Sequence, residues 1–352
     1  MTLLILRIFS CFFIIATLIP FIKWNHWWIR VFDYPRLQKL TIILTLLLLW
    51  VVLPHEATQK ELWTFLLLLA AAAIFLLIKV IPFSPFGKKM VETVEFDETS
   101  SIHILIGNVF QPNTQHPLLI KLVHETNPDL IFLVETDSHW EKGLKSLEKD
   151  YKHLIKLPLD NTYGLLLYSK LEIISHEINY LIDPGIPSLD LNVKLKNGKV
   201  IKIHGIHPTP PVPTQNPKST DRDAEILMVG KKVKLLDKPA LVIGDLNDVA
   251  WSYTTELFLK ISEMADPRKG RGVFNTFHAK IPFLRWPLDH VFLSKHFGLV
   301  SIKVHKSIGS DHFPISMIAR LTIENNTNTK KANGDEKKEA REKINRGLSN
   351  ED

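Results

Sequence analysis

The chain has 352 residues, enough for one large domain and an additional segment, and its longest apolar runs lie in the first quarter. The formal net charge of +6 suits an anionic partner such as nucleic acid, phospholipid or a small phosphate, and a solvated basic surface gives the same value. The single cysteine, Cys11, excludes an intrachain disulfide framework and a CxxC zinc site, and its apolar surroundings argue against a thiol nucleophile.

Apolar segments at residues 3–22, 37–53 and 62–78 have no polar face, which a water-soluble helix would need. About 20 apolar residues cross the hydrocarbon core of a bilayer, so each segment is slightly short but adequate. We therefore predict three transmembrane helices within residues 1–84. A cleaved signal peptide is the alternative for the first segment, but no clear small-residue cleavage site follows it.

Loop charge predicts the orientation of these helices. The connection after the first segment carries Lys23, Arg30, Arg36 and Lys39. The next connection has only Lys60 beside two glutamates, and three lysines follow the third segment. The positive-inside rule then predicts that the C-terminal domain lies in the cytoplasm. A channel or transporter is disfavoured, because the segments have almost no ionisable residue at mid-depth.

The remaining chain is divided into a linker at residues 85–100, a domain at 101–322 and a charged tail at 323–352. Short apolar runs bounded by turn signals predict strands in the domain. These runs are IHILIGNV, DLIFLVE, YGLLLYS, LDLNVKL, VIKIHGIH, ALVIGDLN, LDHVFLS and GLVSIKVH. Helical spacing at 117–126 and 219–236, with a hairpin turn at 197–199, predicts an α/β domain. The tail has few apolar residues and is predicted to be disordered or a frayed helix.

Polar residues recur where these strands end. Asn108 and Glu135 each follow an apolar run, and their oxygens are hard ligands that suit Mg²⁺ or Mn²⁺. Taken alone, each residue has a non-functional alternative: Asn108 as a turn asparagine and Glu135 as a surface glutamate. His207 precedes a stiff proline-rich loop, whereas strand alternation directs His204 to the opposite face, where a structural role is expected.

The segment ALVIGDLND is more specific, because a buried strand runs directly into Asp245 and Asn247. Two residues apart, these side chains share one face if the strand continues, and together they would hold a water or metal and a phosphate oxygen. An ordinary Asx turn is the alternative.

The segments PLDHVFLS and IGSDHFPIS place Asp289 at the start of one strand, and Asp311 with His312 at the entry to the last strand. A histidine whose ring is held by a carboxylate is an acid/base unit, so Asp289 and His312 are candidates for such a pair.

Taken in order, these residues resemble the endonuclease/exonuclease/phosphatase superfamily, which includes DNase I, AP endonucleases, neutral sphingomyelinases and inositol polyphosphate 5-phosphatases. The resemblance covers roughly residues 101–321, with GDLND and SDHFP as its most specific parts, and bacterial members with three N-terminal spans are similar to the whole chain. It implies a four-layer α/β sandwich, in which two packed mixed β-sheets are flanked by helices, with the site at one edge. It also implies metal-dependent hydrolysis of a phosphate ester.

The resemblance further implies a cation site in which Glu135 is the main ligand, Asn108 lies near the metal and Asp311 joins its shell. The expected ion is Mg²⁺ or Mn²⁺. This agrees with the chemistry, because a phosphate ester is anionic and a divalent cation offsets its charge and the charge that develops during attack.

By the same resemblance, Asp245 orients or deprotonates the attacking water, and Asn247 positions the water and the phosphate. Asp289 holds His312 in the required tautomer. His312 acts as a base or as a donor to the phosphoryl oxygens, and His207 binds phosphate or protonates the leaving group. Whether Asp245 or His312 is the base stays open.

Three functions remain open from the sequence: a nuclease-like phosphodiesterase, a phosphodiesterase or phosphatase acting on phospholipid head groups, and a catalytically silent membrane scaffold. The set of acidic and histidine positions is complete, which weighs against the scaffold. AP endonucleases usually have tyrosine where this chain has His207, which disfavours abasic-site repair. Tyr163 is a possible substrate contact, with core packing as the alternative. The expected partners are the substrate and the lipid bilayer, and no protein partner is evident.

Overall fold

The N-terminal region is helical, and its helices are bundled together. The computed structural model describes residues 2–53, 56–322 and 326–349. Its first helices are α1 (Thr2–Leu18), α2 (Trp27–Arg30), α3 (Arg36–Val52) and α4 (Gln59–Val80). α1, α3 and α4 pack around an apolar centre that includes Ile43, Trp50 and Leu76, while large apolar side chains on their outer faces are exposed. Such outer faces suit contact with lipid.

Two of these helices are long and apolar enough to cross a membrane, namely those at Thr2–Phe21 and Gln59–Phe83 when short 3₁₀ turns are included. α3 has 17 residues, which at 1.5 Å per residue is shorter than a hydrocarbon core of about 30 Å. It qualifies as a third span only together with Trp27–Asp33, from which it is bent by 68°. The predicted helices are therefore present, but three spans are not confirmed.

The domain that follows is built on two mixed β-sheets. Their strands are β1 (Ser101–Asn108), β2 (Leu130–Val134), β3 (His153–Leu157), β4 (Leu165–Ser169), β5 (Ile173–Asn179), β6 (Ser188–Lys194), β7 (Val200–Gly205), β8 (Ala240–Asp245), β9 (Asp289–Leu293), β10 (Phe297–Val304) and β11 (Ile315–Leu321). The strand order is β10-β11-β1-β2-β4-β3 in one sheet and β5-β6-β7-β8-β9 in the other. All eight runs predicted as strands are confirmed.

β3 and β5, which the sequence analysis missed, are edge strands. An edge strand needs less apolar surface, and β5 in particular has four exposed residues in succession, so its pattern is too polar to identify it.

Helices cover the outer faces of the two sheets and complete the predicted sandwich. These are α5 (His116–Thr126), α6 (Ser138–Gly143), α7 (Thr220–Leu236) and α8 (Tyr253–Ser262). Leu119 and Trp140 pack with side chains of the first sheet, whereas Ile226 and Phe258 belong to the larger core shared by both sheets. The two predicted helices, α5 and α7, are confirmed, and the layers agree with the expected two packed sheets flanked by helices.

The segment predicted as a linker lies along the domain. Val91 is fully buried and pairs with Thr327, and Thr93 pairs with Leu299 of β10. These contacts connect helix α4 to the sandwich over a short distance.

The tail was predicted to be disordered or a frayed helix, and the structure has an ordered helix there. Residues Gly334–Ser349 form helix α9, which packs against α7 and buries Ala340 and Ile344. Lys343, also buried, donates a hydrogen bond of 2.8 Å to the Asp223 carboxylate. The helix docks with few apolar residues because its lysine pairs with the buried Asp223 carboxylate. The composition of the tail does not reveal this pairing.

We expect Lys343→Met to lower the free energy of unfolding by about 2 kcal/mol, because it removes a charged partner from a buried carboxylate. Lys338→Met, on the same helix, is the control: Lys338 pairs only with exposed Glu342 at 4.0 Å and should change stability little. Thermal unfolding of the full chain in detergent measures both effects. Equal melting temperatures for the two variants would contradict the docking of α9.

Candidate active site

Polar side chains from five strand ends meet at one rim of the sandwich. Parallel pairing of β1 with β2, and of β7 with β8, brings their carboxyl ends to the same side. β9 runs antiparallel to β8 with Asp289 opposite Asp245, and β11 runs antiparallel to β1, so the chain just before β11 lies beside the end of β1. The residues brought together are Asn108, Glu135, Asp245, Asp289 and His312.

The Asn108 side chain links two carboxylates. Its Nδ2 donates hydrogen bonds to Glu135 Oε1 at 2.7 Å and to Asp245 Oδ2 at 3.0 Å. Burial raises the pKa of Glu135 to about 7, and the charges of Asp245 and Asp311 add to that effect while the Asn108 hydrogen bond opposes it. Burial likewise raises the pKa of Asp245. The rim therefore concentrates negative charge that is poorly solvated.

His312 and Asp289 form the expected pair. His312 Nδ1 lies 2.8 Å from Asp289 Oδ2, and His312 Nε2 lies 3.5 Å from Asp245 Oδ2. Burial disfavours the charged imidazole, but Asp289 and Asp245 outweigh it and raise the pKa of His312 to about 10. At neutral pH this ring is therefore a cation that donates hydrogen bonds.

The loop after β8 does not continue the strand. Asn247 has φ 50°, and its backbone N–H donates to Asp245 Oδ1 at 2.9 Å, as in an Asx turn. Its side chain donates to Pro208 O at 2.9 Å. The expectation that Asp245 and Asn247 share one strand face is therefore wrong, since β8 ends at Asp245. Asn247 instead ties this loop to the loop after His207.

Backbone conformation at the rim is strained at two site residues. Glu135 has φ 58° and Asn247 has φ 50°, in the left-handed region that costs a residue other than glycine roughly 1–3 kcal/mol. Position 244, at φ 137°, requires glycine, because a Cβ there would lie 1.9 Å from the carbonyl oxygen of Ile206. Strain of this kind is typical of a functional site.

His207 lies beside this cluster. It is buried, its ring centroid is 5.3 Å from that of Tyr163, and its Nδ1 has no hydrogen-bond partner among the described residues. Burial lowers the pKa of His207 to about 4, although the charge of Asp245 opposes this, so the ring is neutral at pH 7. Tyr163 donates to Gln215 Oε1 at 2.5 Å and is partly exposed, so it is not a core residue.

Asp311 lies at the edge of the cluster, where its charge contributes to raising the pKa values of Glu135 and His312. Its carboxylate accepts a hydrogen bond of 3.3 Å from Ser310. His204 and His290 lie outside the site. His204 contacts Asp190, as a structural histidine would, and His290 lies between Arg268 and the backbone oxygen of Asp248.

Sequence reasoning missed a second group of residues, which holds the Asn247 carbonyl. This oxygen accepts hydrogen bonds from Tyr34 Oη at 2.9 Å and from Arg222 Nη1 at 2.8 Å. Arg222 is buried against Asp223 and Asp248. The sequence signal for Arg222 was its place among adjacent charged residues in a helix that was predicted to pack on a sheet. No sequence pattern connects Tyr34 to Asn247, which is 213 residues away.

The residues at the rim fit a hard divalent cation. The half-buried Glu135 and the buried Asp245 are carboxylates with raised pKa values that share one amide, an arrangement that a cation would stabilise. Ligand atoms of Asp245, Asp289 and His312 also lie within 4.8 Å of one another. Since Asp289 and His312 bind each other, the Glu135 carboxylate is the better donor for Mg²⁺ or Mn²⁺. Asn108 turns its amide nitrogen toward the carboxylates, and its Oδ1 accepts a hydrogen bond of 2.9 Å from the Phe110 backbone N–H.

Comparison with known proteins agrees with this fold. A family model described as the Endonuclease/Exonuclease/phosphatase family matches residues 108–312, and the chain belongs to this family. No curated protein matches the chain.

Solved structures share the fold at low sequence identity. The endonuclease/exonuclease/phosphatase from Beutenbergia cavernae is 17% identical over 63% of this chain and 72% of its own, with a TM-score of 0.51. D. rerio TDP2 complexed with a single-strand DNA product is 18% identical over 63% and 100%, with a TM-score of 0.51. The human Nocturnin catalytic domain with bound sulfate is 15% identical over 64% and 97%, with a TM-score of 0.53.

We expect Asp289→Asn to lower the pKa of His312 by about 1–3 pH units, because the nearest opposite charge is removed. NMR titration of the histidine ring protons in the full chain measures this shift. Asp190→Asn, which removes the carboxylate beside His204, is the matched control and should leave the pKa of His312 unchanged. An unchanged pKa of His312 in Asp289→Asn would show that the two side chains are not paired.

Proposed function

We propose that this protein is a membrane-anchored phosphodiesterase that uses a divalent cation to hydrolyse a phosphodiester of nuclease type, by in-line attack of water. The observation that carries this proposal is the convergence of the His312–Asp289 pair with Glu135, Asn108 and Asp245 at one rim. Such a set provides a base, a cationic donor and a cation site within a few ångströms.

Glu135 and Asp311 would hold Mg²⁺ or Mn²⁺, with Asn108 beside the ion as the residue that positions Glu135. The charge of the cation would neutralise the phosphate and polarise its P–O bond. Asp245 is the better candidate for the base, because His312, with its raised pKa, already carries a proton at neutral pH. His312 then donates hydrogen bonds to the phosphoryl oxygens, and Asp289 keeps its ring in place.

The remaining polar residues position the substrate. His207 is neutral at pH 7, so it acts as a hydrogen-bond donor to phosphate rather than as the acid that protonates the leaving group. Asn247 has a left-handed backbone held by Asp245, Tyr34 and Arg222, which fixes its side chain between the two loops. The near-complete burial of Asp245 and Asp289 excludes water from their carboxylates, which strengthens these interactions.

We expect Glu135→Gln and His312→Ala each to lower kcat/KM for bis-p-nitrophenyl phosphate with Mg²⁺ by roughly 10²–10³-fold. Glu177→Gln and His176→Ala, on the exposed edge strand β5, are matched controls and should retain full activity. The Mg²⁺ concentration for half-maximal activity should rise as the pH falls through about 7, because Glu135 then binds a proton in competition with the cation. Equal hydrolysis by all four variants would refute the site.

We further propose that α1, α4 and the bent pair formed with α3 cross a bacterial inner membrane, with the sandwich in the cytoplasm. The basic connection at residues 23–39 supports this side. A fluorescent protein fused to the C-terminus should fluoresce, and periplasmic alkaline phosphatase fused there should be inactive. Fusions at residue 57, between α3 and α4, should give the opposite pair of results, and an active C-terminal phosphatase would overturn the orientation.

A second candidate function, a phosphodiesterase acting on phospholipid head groups, is favoured by the loop at residues 277–286. The Phe277 ring lies beside the His312 ring at a tilted angle, with 4.9 Å between the ring centroids. On the same loop Phe283 is 83% exposed, and its backbone oxygen accepts a hydrogen bond of 3.0 Å from Gln38, at the start of α3. An exposed apolar side chain at the level of a membrane-helix end suits insertion into a lipid surface.

For this candidate we expect Phe283→Ser to lower hydrolysis of phospholipid in vesicles by roughly tenfold, since a buried Phe contributes about 1.5–3 kcal/mol. Hydrolysis of soluble bis-p-nitrophenyl phosphate should change less than about twofold, because the loop backbone is kept. Leu235→Ser, an equally exposed change on α7, is the control. If the wild type releases no product from vesicles of any phospholipid, the nuclease-type function stands alone.

A further inference from the structure

A cavity of about 760 Å³ lies where the membrane helices meet the sandwich, away from the rim that carries His312. Phe21, Phe75 and Ile78 contribute an apolar wall from the ends of α1 and α4. Trp251 and Tyr253, at the start of α8, form part of the opposite wall. The volume falls in the range of roughly 300–1,000 Å³ that is typical of small-molecule sites.

The charged residues that line this cavity are strongly unbalanced toward positive charge. Seven are basic and three are acidic, and each acid is already paired with a base of the same cavity. These pairs are Asp33–Arg36, Glu256–Lys269 and Glu336–Lys260. Lys79, Lys88, Lys89 and Lys330 remain, and none of them forms an ion pair with any residue in the described ranges. The cavity thus offers four positive charges for an anion.

The placement of apolar and basic groups indicates a ligand with both characters. Lys79 is at the end of α4 beside Ile78, while Lys88 and Lys89 follow the exposed Phe86 at the start of the domain. Apolar side chains therefore lie toward the membrane helices, and ammonium groups lie where those helices end. This is the order of the parts of a phospholipid, and basic pockets between membrane helices are suited to anionic head groups.

We propose that this cavity binds an anionic glycerophospholipid of the surrounding bilayer, with its phosphate at Lys88 and Lys330 and its acyl chains against Phe21 and Phe75. The site is separate from the phosphodiesterase rim and rests on the proposed membrane anchoring, not on the proposed catalysis. Trp251 belongs to the segment between β8 and α8, which also contains Asn247. Its Nε1 donates a hydrogen bond of 2.9 Å to the backbone oxygen of Asp33, in the connection between α1 and α3. Bound lipid should therefore also stabilise the docking of the sandwich on the helices.

The test uses the full chain in mixed micelles doped with phosphatidylglycerol or phosphatidylcholine, in EDTA so that no lipid is hydrolysed. Retained lipid is quantified by mass spectrometry, and the melting temperature is measured in parallel. We expect the wild type to retain phosphatidylglycerol at least about fivefold over phosphatidylcholine and to melt at a higher temperature with it. Lys88→Gln/Lys330→Gln should lose most of this preference.

The control is Lys152→Gln/Lys199→Gln, which removes the same charge from two exposed lysines outside the cavity. It should keep the preference for phosphatidylglycerol, and both double variants should hydrolyse bis-p-nitrophenyl phosphate at the wild-type rate with Mg²⁺. The inference is overturned if the wild type shows no preference, or if the cavity variant and the control retain equal amounts of phosphatidylglycerol. Loss of hydrolysis in the wild type would refute only the proposed catalysis.

Discussion

The amide of Asn108 holds together two carboxylates that belong to different sheets, Glu135 after β2 and Asp245 at the end of β8. Without the face-to-face packing of the sheets these groups would not meet, and without the amide their charges would repel at close range. Every other feature of the site is arranged around this contact. The His312 ring approaches the same Asp245 oxygen, and Asp289 fixes the ring from its far side.

The electrostatics of the rim follow from this contact. Burial raises the pKa values of Glu135 and Asp245. The pKa of His312 is raised by the neighbouring carboxylates, first Asp289 and then Asp245, which together outweigh the effect of burial on the imidazolium. Under the proposed function, a divalent cation near Glu135 would offset this negative charge, and a protonated His312 would leave Asp245 as the acceptor for a proton of the attacking water.

The N-terminal region also contacts the site. Tyr34, in the connection between α1 and α3, donates to the carbonyl of Asn247, and Arg222 donates to it from α7. Arg222 is in turn paired with Asp223, to which Lys343 of α9 adds a second charge. A chain of polar contacts thus runs from the connection between α1 and α3, through the loop after β8, to helix α9. Buried charges of this kind persist only when each is paired, so the three elements stabilise one another.

The sequence by itself determined the strands with strong apolar runs, the long apolar helices, and the residue types at the strand ends, because these depend on local hydrophobicity and on chemistry that varies little with context. It did not determine the edge strand β5 or helix α9, whose stability comes from neighbours distant in sequence. It also did not determine the backbone of Asn247, where a turn closed by Asp245 replaces a continued strand. Only the tertiary structure decided that Tyr34 belongs to the site, and that the Asn108 amide links Glu135 to Asp245. Distances between side chains from different sheets and their mutual burial set those pairings, and neither quantity is encoded in the spacing of residues along the chain.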